Sequence, residues 1–298
     1  MSDPSADAIA PARIPARRNL ALLAGVSLLA AASLAAASHA SGWASFAGWV
    51  VVFAGAGNTL FALLHESVHG LVHPSRTANE WAGRIAAAWF PTGLAMQRAY
   101  HLTHHRNNRS AAEQFDVLRA GDIAWLKRAQ WYAILTGLYW WVALAGLLAY
   151  LVTPRALRER LLRAFGAQAA RQTSADAYLA ALDALPPLRT RLEILGSLAA
   201  QVALCVALDV SLLAWLACYG AFGLVWSSLQ YTDHAFSPLD PREGAWDLVV
   251  SAPARAIFLN YPLHRAHHAH PQAPWNALPR LADAGPRFAD VWLAAWRG

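Results

Sequence analysis

Charged side chains are scarce in this chain. Asp, Glu, Lys and Arg make up 14% of its 298 residues, whereas about 25% is usual for a soluble domain. Apolar residues make up 57%, and the mean hydropathy is +0.28. This composition excludes an intrinsically disordered chain. Together with the long apolar runs, it favours an integral membrane protein over one or two soluble domains.

Cysteine and lysine are also scarce. The two cysteines, Cys205 and Cys218, both lie within apolar runs, which excludes a disulfide framework and a CxxC metal or redox site. Lys127 is the one lysine among 24 basic residues, and the net charge is +6. The arginines lie between apolar runs rather than in a basic patch with interleaved aromatic residues, so the sequence predicts no nucleic-acid partner.

The first two apolar runs predict a helical hairpin in the membrane. They cover Asn19–Ala37 and Trp43–Leu64, and each is close to the roughly 20 residues that cross a bilayer. The alternative for the first run is a signal peptide that is cleaved after Ser38-His39-Ala40. We favour the uncleaved hairpin, with residues 1–18 as an N-terminal cytoplasmic tail and residues 19–298 as a single membrane domain.

A second hairpin is predicted in the long apolar run Ile194–Leu229. Its 36 residues would extend roughly 54 Å as one helix, which is too long for a single crossing. Asp209 lies in the middle of the run, where a tight turn would leave its carboxylate in water. The sequence therefore predicts spans at 194–208 and 212–229.

The arginine distribution predicts which side of the membrane each segment faces. Thr153–Arg191 carries seven arginines, which predicts a cytoplasmic connection. If the histidine clusters described below share that side, the apolar run Trp131–Val152 begins and ends there as an interfacial or re-entrant helix. The alternative is a crossing helix, which would leave the arginines outside. The predicted fold is an all-α integral membrane protein with four transmembrane helices in two hairpins, interfacial helices and a cytoplasmic, histidine-rich metal-binding cap.

Three histidine clusters carry the functional signal. The first reads His65-Glu-Ser-Val-His69, the second is an HxxHH motif that starts at His101, and the third is an HxxHH motif that starts at His264. Histidines at i and i+4 share one helical face, so the imidazoles of each cluster can converge on a metal. Eight imidazoles exceed the six positions of an octahedral ion, which predicts two metals. Nitrogen ligands suit Fe, Cu, Zn and Ni alike.

The order HxxxH, HxxHH and a distant HxxHH between two apolar hairpins resembles the membrane fatty acid desaturase and hydroxylase superfamily, over roughly residues 45–280. Asp116, after the second motif, and Trp246, before the third, lie where relatives often have similar residues. The resemblance implies a non-haem di-iron centre, O2 as the oxidant, and attack on a C–H bond of a lipid. The iron ligands that it implies are His65, His69, His101, His104, His105, His234, His264, His267 and His268.

Other polar residues receive weaker expectations. His73 continues the face of the first cluster but lies too far along to reach the same ion, His270 is expected to support a ligand or face solvent, and His39 lies at the opposite surface. Three further residues could orient ligands through hydrogen bonds, with solvation as the alternative. They are Glu66, Asp116 and Asn260.

Desaturation of a lipid acyl chain is the function expected first. The alternatives are a hydroxylase or ketolase of a lipid or a carotenoid or other terpenoid, an alkene-forming enzyme, and a histidine-rich membrane metal-binding or transport protein or hydrolase. The sequence has no haem motif, iron–sulfur cysteines or dinucleotide fingerprint, so the enzyme needs an external electron donor: a ferredoxin, a rubredoxin, or a cytochrome with its reductase. We expect it in the bacterial inner membrane, in contact with bilayer and lipid substrate, with the active site facing the cytoplasm.

Overall fold

The computed structural model describes residues 12–110, 113–114, 116–118, 120, 122–158 and 174–297. This part of the chain contains twelve α-helices and one short 3-10 helix, and its β-structure is limited to two isolated bridges. The α-helices are α1 (Ala16–Ser38), α2 (Trp43–Val68), α3 (Arg76–Ala88), α4 (Leu94–Asn107), α5 (Ala124–Leu135), α6 (Leu138–Val152), α7 (Ser174–Asp183), α8 (Pro187–Ala207), α9 (Leu212–Thr232), α10 (Ala252–Ile257), α11 (His264–Ala269) and α12 (Phe288–Arg297).

Four helices are long and apolar enough to cross a membrane: α1, α2, α8 and α9. This confirms the predicted all-α integral membrane fold with two hairpins. Asp209 is exposed in the turn between α8 and α9, where its φ is +47°. Two helices are longer than predicted: α2 continues to Val68, and α8 begins at Pro187. The extension of α2 places His65 within its last turn, at the end of a rigid span.

The apolar run Trp131–Val152, predicted as an interfacial or re-entrant helix with a crossing helix as the alternative, is not one straight helix. The run is divided between α5 and α6, which meet at a bend of 99°, and its shape fits either a re-entrant segment or a broken span. Gly137 lies at the bend with a φ of +81°, and a Cβ added there would lie 2.6 Å from the Cα of Leu224 in α9. Only glycine allows both this backbone conformation and this close approach. Hydropathy detects the apolar residues of the run but not the bend.

Glu193 of α8 ties together the helices around the second histidine motif. Its Oε1 accepts hydrogen bonds from Arg84 Nη2 of α3 at 3.2 Å and from Arg189 Nε at 3.3 Å. Its Oε2 accepts the backbone N–H of Ala95 at 2.9 Å. This last contact places a negative charge at the N-terminus of α4, where the helix dipole favours it. The membrane span α8 therefore fixes the start of the helix that carries His101.

Close helix packing supports the histidine end of the fold. Gly57 of α2 lies so near α9 that an added Cβ would be 2.9 Å from a ring carbon of Phe222. The ring of Phe53 meets that of Tyr219 edge-on, with centroids 5.0 Å apart. Small residues facing aromatic rings allow the close van der Waals packing that holds helices together in lipid. This packing holds α2 and α9, whose ends carry His65 and His234.

Candidate metal centre

The first histidine motif lies at the end of α2. His65 is in the last turn, and His69 is the C-terminal capping residue. Gly70 follows with a φ of +81°, and the backbone N–H of Leu71 donates to the Glu66 carbonyl at 2.8 Å. This is a glycine-ended helix terminus of the common left-handed type. It reverses the chain directly after His69 and leaves both imidazoles directed toward the other motifs.

The other motifs lie on helices, as their spacing predicted. α4 carries the three histidines of the second motif near its C-terminus, and α11 consists largely of the third. Asp247 fixes α11, because its Oδ1 accepts the backbone N–H of Ala266 at 3.0 Å. The carbonyl of Trp246 accepts the backbone N–H of His264 at 3.2 Å. His234 follows the last residue of α9 by two positions.

All nine histidines that the resemblance implied as ligands come together in the structure, in two groups. We call the first the five-histidine group: it contains His65, His69, His101, His105 and His267. We call the second the four-histidine group: it contains His104, His234, His264 and His268. The groups adjoin, since the rings of His105 and His268 have centroids 4.3 Å apart.

Nε2 atoms converge in the five-histidine group. The Nε2 of His101 lies 2.7 Å from that of His69 and 2.9 Å from that of His105. The Nε2 of His105 lies 3.0 Å from that of His267. The Nε2 of His65 is buried and has no hydrogen-bond partner among the described residues. Imidazole nitrogens that face one another in this way fit a cation bound between them.

Nε2 atoms also converge in the four-histidine group. The Nε2 of His268 lies 3.2 Å from those of His104 and His264. The outward Nδ1 of His234 lies 2.7 Å from the Gly244 carbonyl oxygen. A carbonyl can only accept, so this contact places the proton of His234 on Nδ1 and leaves Nε2 free to bind a metal.

Asp233 adds a buried carboxyl group beside the four-histidine group. Its two oxygens lie 3.8 Å from His234 Nε2 and from His264 Nδ1, and neither has a hydrogen-bond partner in the described part of the chain. Burial raises the pKa of Asp233 well above its usual range. A buried carboxylate is costly unless a positive charge lies nearby. Its position therefore fits a bound cation in this group.

Burial also favours the neutral form of seven imidazoles of the centre. It lowers the pKa of His69 to about 4, with a further contribution from the Arg98 guanidinium. It lowers the pKa of His105 to about 2. The same cause lowers the pKa values of five further histidines well below the usual range; these are His101, His234, His264, His267 and His268. Neutral imidazole is the form that binds metal.

The remaining histidines lie outside both groups. His39 and His270 are exposed, and His73 accepts the backbone N–H of Ser75 through its Nδ1 at 2.9 Å. This arrangement agrees with the weaker expectations for all three. None of them offers a nitrogen to either group among the described residues.

The three residues proposed to orient ligands have other partners. Glu66 accepts the backbone N–H of Trp275 at 3.1 Å, and Asn260 donates to the carbonyl of the same tryptophan at 2.9 Å. Asp116 pairs with Arg109 at 2.5 Å and accepts the backbone N–H of Phe236 at 2.7 Å. These contacts hold the loops around the centre, and none of these hydrogen bonds reaches an imidazole.

Sequence reasoning missed the group that does contact an imidazole. Glu113 lies in the loop after α4, and its Oε2 is 2.8 Å from His104 Nδ1. Asn108 also approaches the centre, with its Nδ2 3.4 Å from His268 Nδ1. Glu113 lies beyond the end of α4, so helical periodicity gave no signal for it. Asn108 follows His104 by four positions, but its contact is with His268 of the third motif, which spacing along the chain does not show.

Comparison with known proteins agrees with this site. The model of the fatty acid desaturase family matches residues 11–294, which is nearly the whole chain. The chain therefore belongs to this family, and the resemblance seen in the three histidine motifs is confirmed. No match is found among curated proteins. Family membership and the two histidine groups together identify a metal-binding membrane protein of the desaturase type.

Proposed function

We propose that this member of the fatty acid desaturase family desaturates a lipid acyl chain in an O2-dependent reaction at a pair of histidine-bound iron ions. The observation that carries the proposal is the adjacency of the two groups, which bring nine imidazoles together at one end of the membrane helices. Two bound irons would supply the oxidising power, drawn from O2 and two external electrons, that removal of hydrogen from an unactivated methylene requires.

The chain's own part is to hold and orient the ligands. Eight of the imidazoles lie on or next to α2, α4 and α11, the ninth follows α9, and contacts within the protein hold these segments in place. The Asp247 contact to α11 and the Gly244 contact to His234 are examples. Such preorganisation lets the metals bind with little rearrangement. Five of the nine histidines are buried and the other four are half-buried, which limits the access of bulk water to the centre.

The position of the histidines supports an enzyme rather than a transporter. In a transporter, the ion-binding groups are expected near the middle of the membrane. Here, His65 lies in the last turn of the span α2, and the other eight histidines lie beyond the ends of α2 and α9 or on α4 and α11. Ions bound at these positions would lie at one end of the spans.

An open groove between three helices supports an acyl substrate. It has a volume of about 630 Å³, which falls within the 300–1,000 Å³ typical of ligand pockets. Its walls come from α3, from the start of α4 and from α8, and apolar side chains such as Ile85, Leu188 and Leu192 line it. The groove meets α4 at Leu94, roughly 10 Å along the helix from His101.

We propose that the centre faces the cytoplasm of a bacterial cell, from the inner membrane. The arginines of the connection between α6 and α8 support this orientation. Single cysteines placed at Gly42 and at Ser174, in a background without Cys205 and Cys218, test it with a membrane-impermeant thiol reagent on intact cells. We expect labelling at residue 42 and protection at residue 174. Labelling at residue 174 would instead make the bent α5–α6 pair a fifth crossing.

The reaction itself can be tested in a host that lacks the gene. Cells that express the chain are given a deuterated fatty acid, and their lipids and hydrocarbons are compared by mass spectrometry with those of cells expressing His104→Ala. We expect a product that has lost two hydrogens from one acyl chain and is absent from the variant. A product that has gained one oxygen would instead show hydroxylation. If fully iron-loaded protein gives no oxidised lipid or hydrocarbon, the proposed function is wrong.

A further inference from the structure

We infer that Glu113 is a positioning residue for one of the two metals, and that Tyr178 of α7 holds it in place. The inference rests on the proposed metal-binding role of the four-histidine group. It does not depend on which lipid is oxidised. It assigns a role to a loop residue and to a helix of the connecting segment that are not part of the histidine motifs.

The geometry joins three side chains in a row. The Oε2 of Glu113 lies 2.8 Å from His104 Nδ1, and its Oε1 accepts a hydrogen bond from the Tyr178 hydroxyl at 2.7 Å. Glu113 is 8% exposed, so water competes little for these contacts. The ring of Tyr100 meets that of Tyr178 edge-on, with centroids 5.3 Å apart. Both carboxylate oxygens are therefore committed, one to the ligand and one to α7.

This contact decides which nitrogen of His104 can bind a metal. A carboxylate accepts hydrogen bonds, so it stabilises the tautomer of His104 that carries its proton on Nδ1. The lone pair then lies on Nε2, which is the atom 3.2 Å from His268 Nε2 in the four-histidine group. A carboxylate partner also makes the imidazole a stronger donor to a metal. Without it, His104 would be free to rotate or to take the other tautomer.

The effect should be confined to one metal. In the described part of the chain, the bond that His104 donates to Glu113 is the one hydrogen bond between a carboxylate and a histidine of either group. The Asp233 oxygens lie farther away, at 3.8 Å from His234 and His264. The negative charge of Glu113 should therefore stabilise a metal in the four-histidine group more than a metal in the five-histidine group. The two metals should differ in how strongly the protein holds them and in their electronic environment.

Tyr178 extends this control to a distant part of the sequence. It lies 65 positions from Glu113, in the segment between α6 and α8. Removal of its hydroxyl would leave Glu113 with one partner and allow the carboxylate to turn away from His104. A change in the position of α7 should therefore also change the metal affinity of the four-histidine group.

Metal titration tests the inference. The purified full-length protein is stripped of metal and titrated with Co²⁺, whose absorption spectrum reports each binding step, and four variants are compared with the unaltered chain. Glu113→Gln should weaken one of the two steps by about 10–100-fold and leave the other within about twofold, the range typical for loss of a group that orients a ligand. Tyr178→Phe should weaken the same step by a smaller factor.

Two variants serve as matched controls. Asp122→Asn removes another ion-paired carboxylate, which binds Lys127 rather than a histidine. Tyr100→Phe removes a hydroxyl but keeps the ring that packs on Tyr178. Both should leave the two binding steps unchanged. Mössbauer spectra of protein loaded with ⁵⁷Fe give a second readout, in which Glu113→Gln should shift one of two iron signals.

The possible outcomes separate the inference from the proposed function. Equal weakening of both steps, or no weakening of either, in Glu113→Gln would overturn the role of Glu113. If Glu113→Gln does not fold, the test rests on Tyr178→Phe. Two unchanged metal affinities in Tyr178→Phe would overturn the proposed role of Tyr178 in holding Glu113 beside His104. An unaltered chain that binds fewer than two metals would instead count against the di-iron proposal.

Discussion

Replacement of His104 or His267 by alanine should abolish product formation and remove about one iron per chain in each case. The two residues belong to different groups, so each variant empties a different half of the centre. A di-iron reaction needs both metals, and the remaining iron cannot substitute for its partner. Iron content measured by mass spectrometry on anaerobically purified protein, together with the lipid assay, checks both parts of the prediction.

His270→Ala and His39→Ala are the controls for these variants. His270 follows the third motif by two positions but is exposed, and His39 is exposed at the end of α1. Neither change should alter iron content or product yield. If His270→Ala lost iron to the same extent as His267→Ala, the assignment of ligands to the two groups would be wrong.

The sequence was sufficient to predict the helices and the histidine cluster. Hydropathy located the four spans because a bilayer demands about 20 apolar residues in a row. Spacing located the candidate ligands because i and i+4 share a helical face: His101 and His105 fall in one group, and His264 and His268 fall in the other. Both signals are local; the helices confirm the spans, and the histidines converge as the spacing predicted.

The division into two groups could not be predicted, because it does not follow the motifs. His104 and His105 are neighbours in sequence but belong to different groups, and so do His267 and His268. Adjacent side chains on an α-helix point about 100° apart, which directs them into different histidine groups. Which motifs contact each other depends on how α2, α4 and α11 pack, and the spacing of residues along the chain does not show that packing.

Loop residues were missed for a different reason. Glu113 contacts an imidazole from beyond the end of α4, and Asn108 caps that helix but contacts His268 of the distant third motif, so no spacing rule predicts either contact. The bend at Gly137 was missed because glycine is common in membrane helices, and its need for a positive φ shows only when Leu224 packs against it. Residues of this kind depend on tertiary contacts, and the structure is required to find them.

Product formation should stop completely without O2, and also without a reduced external donor, because the oxidation consumes two electrons and the sequence shows no electron-transfer cofactor of its own. We propose a ferredoxin, a rubredoxin, or a cytochrome with its reductase as the donor. Purified protein in lipid vesicles, supplied with substrate and one component withheld at a time, checks this requirement. Turnover that persists under anaerobic conditions without reductant would reject the oxygenase function and favour a hydrolase.

Exposed arginines at the histidine end should attract an acidic donor. Arg109 and Arg158 are unsuitable for testing this, since both are buried and paired, with Asp116 and Asp183. Arg242 and Arg280 are exposed, and each lies close in sequence to a segment that surrounds the centre.

The double variant Arg242→Glu, Arg280→Glu should raise the donor concentration needed for half-maximal turnover, most strongly at low salt, because screening weakens such attraction at high ionic strength. Iron content should stay at the level of the unaltered chain. The matched double variant to lysine keeps both charges and should preserve donor use. If the glutamate and lysine variants have the same donor dependence at every salt concentration, the donor does not dock through these two arginines.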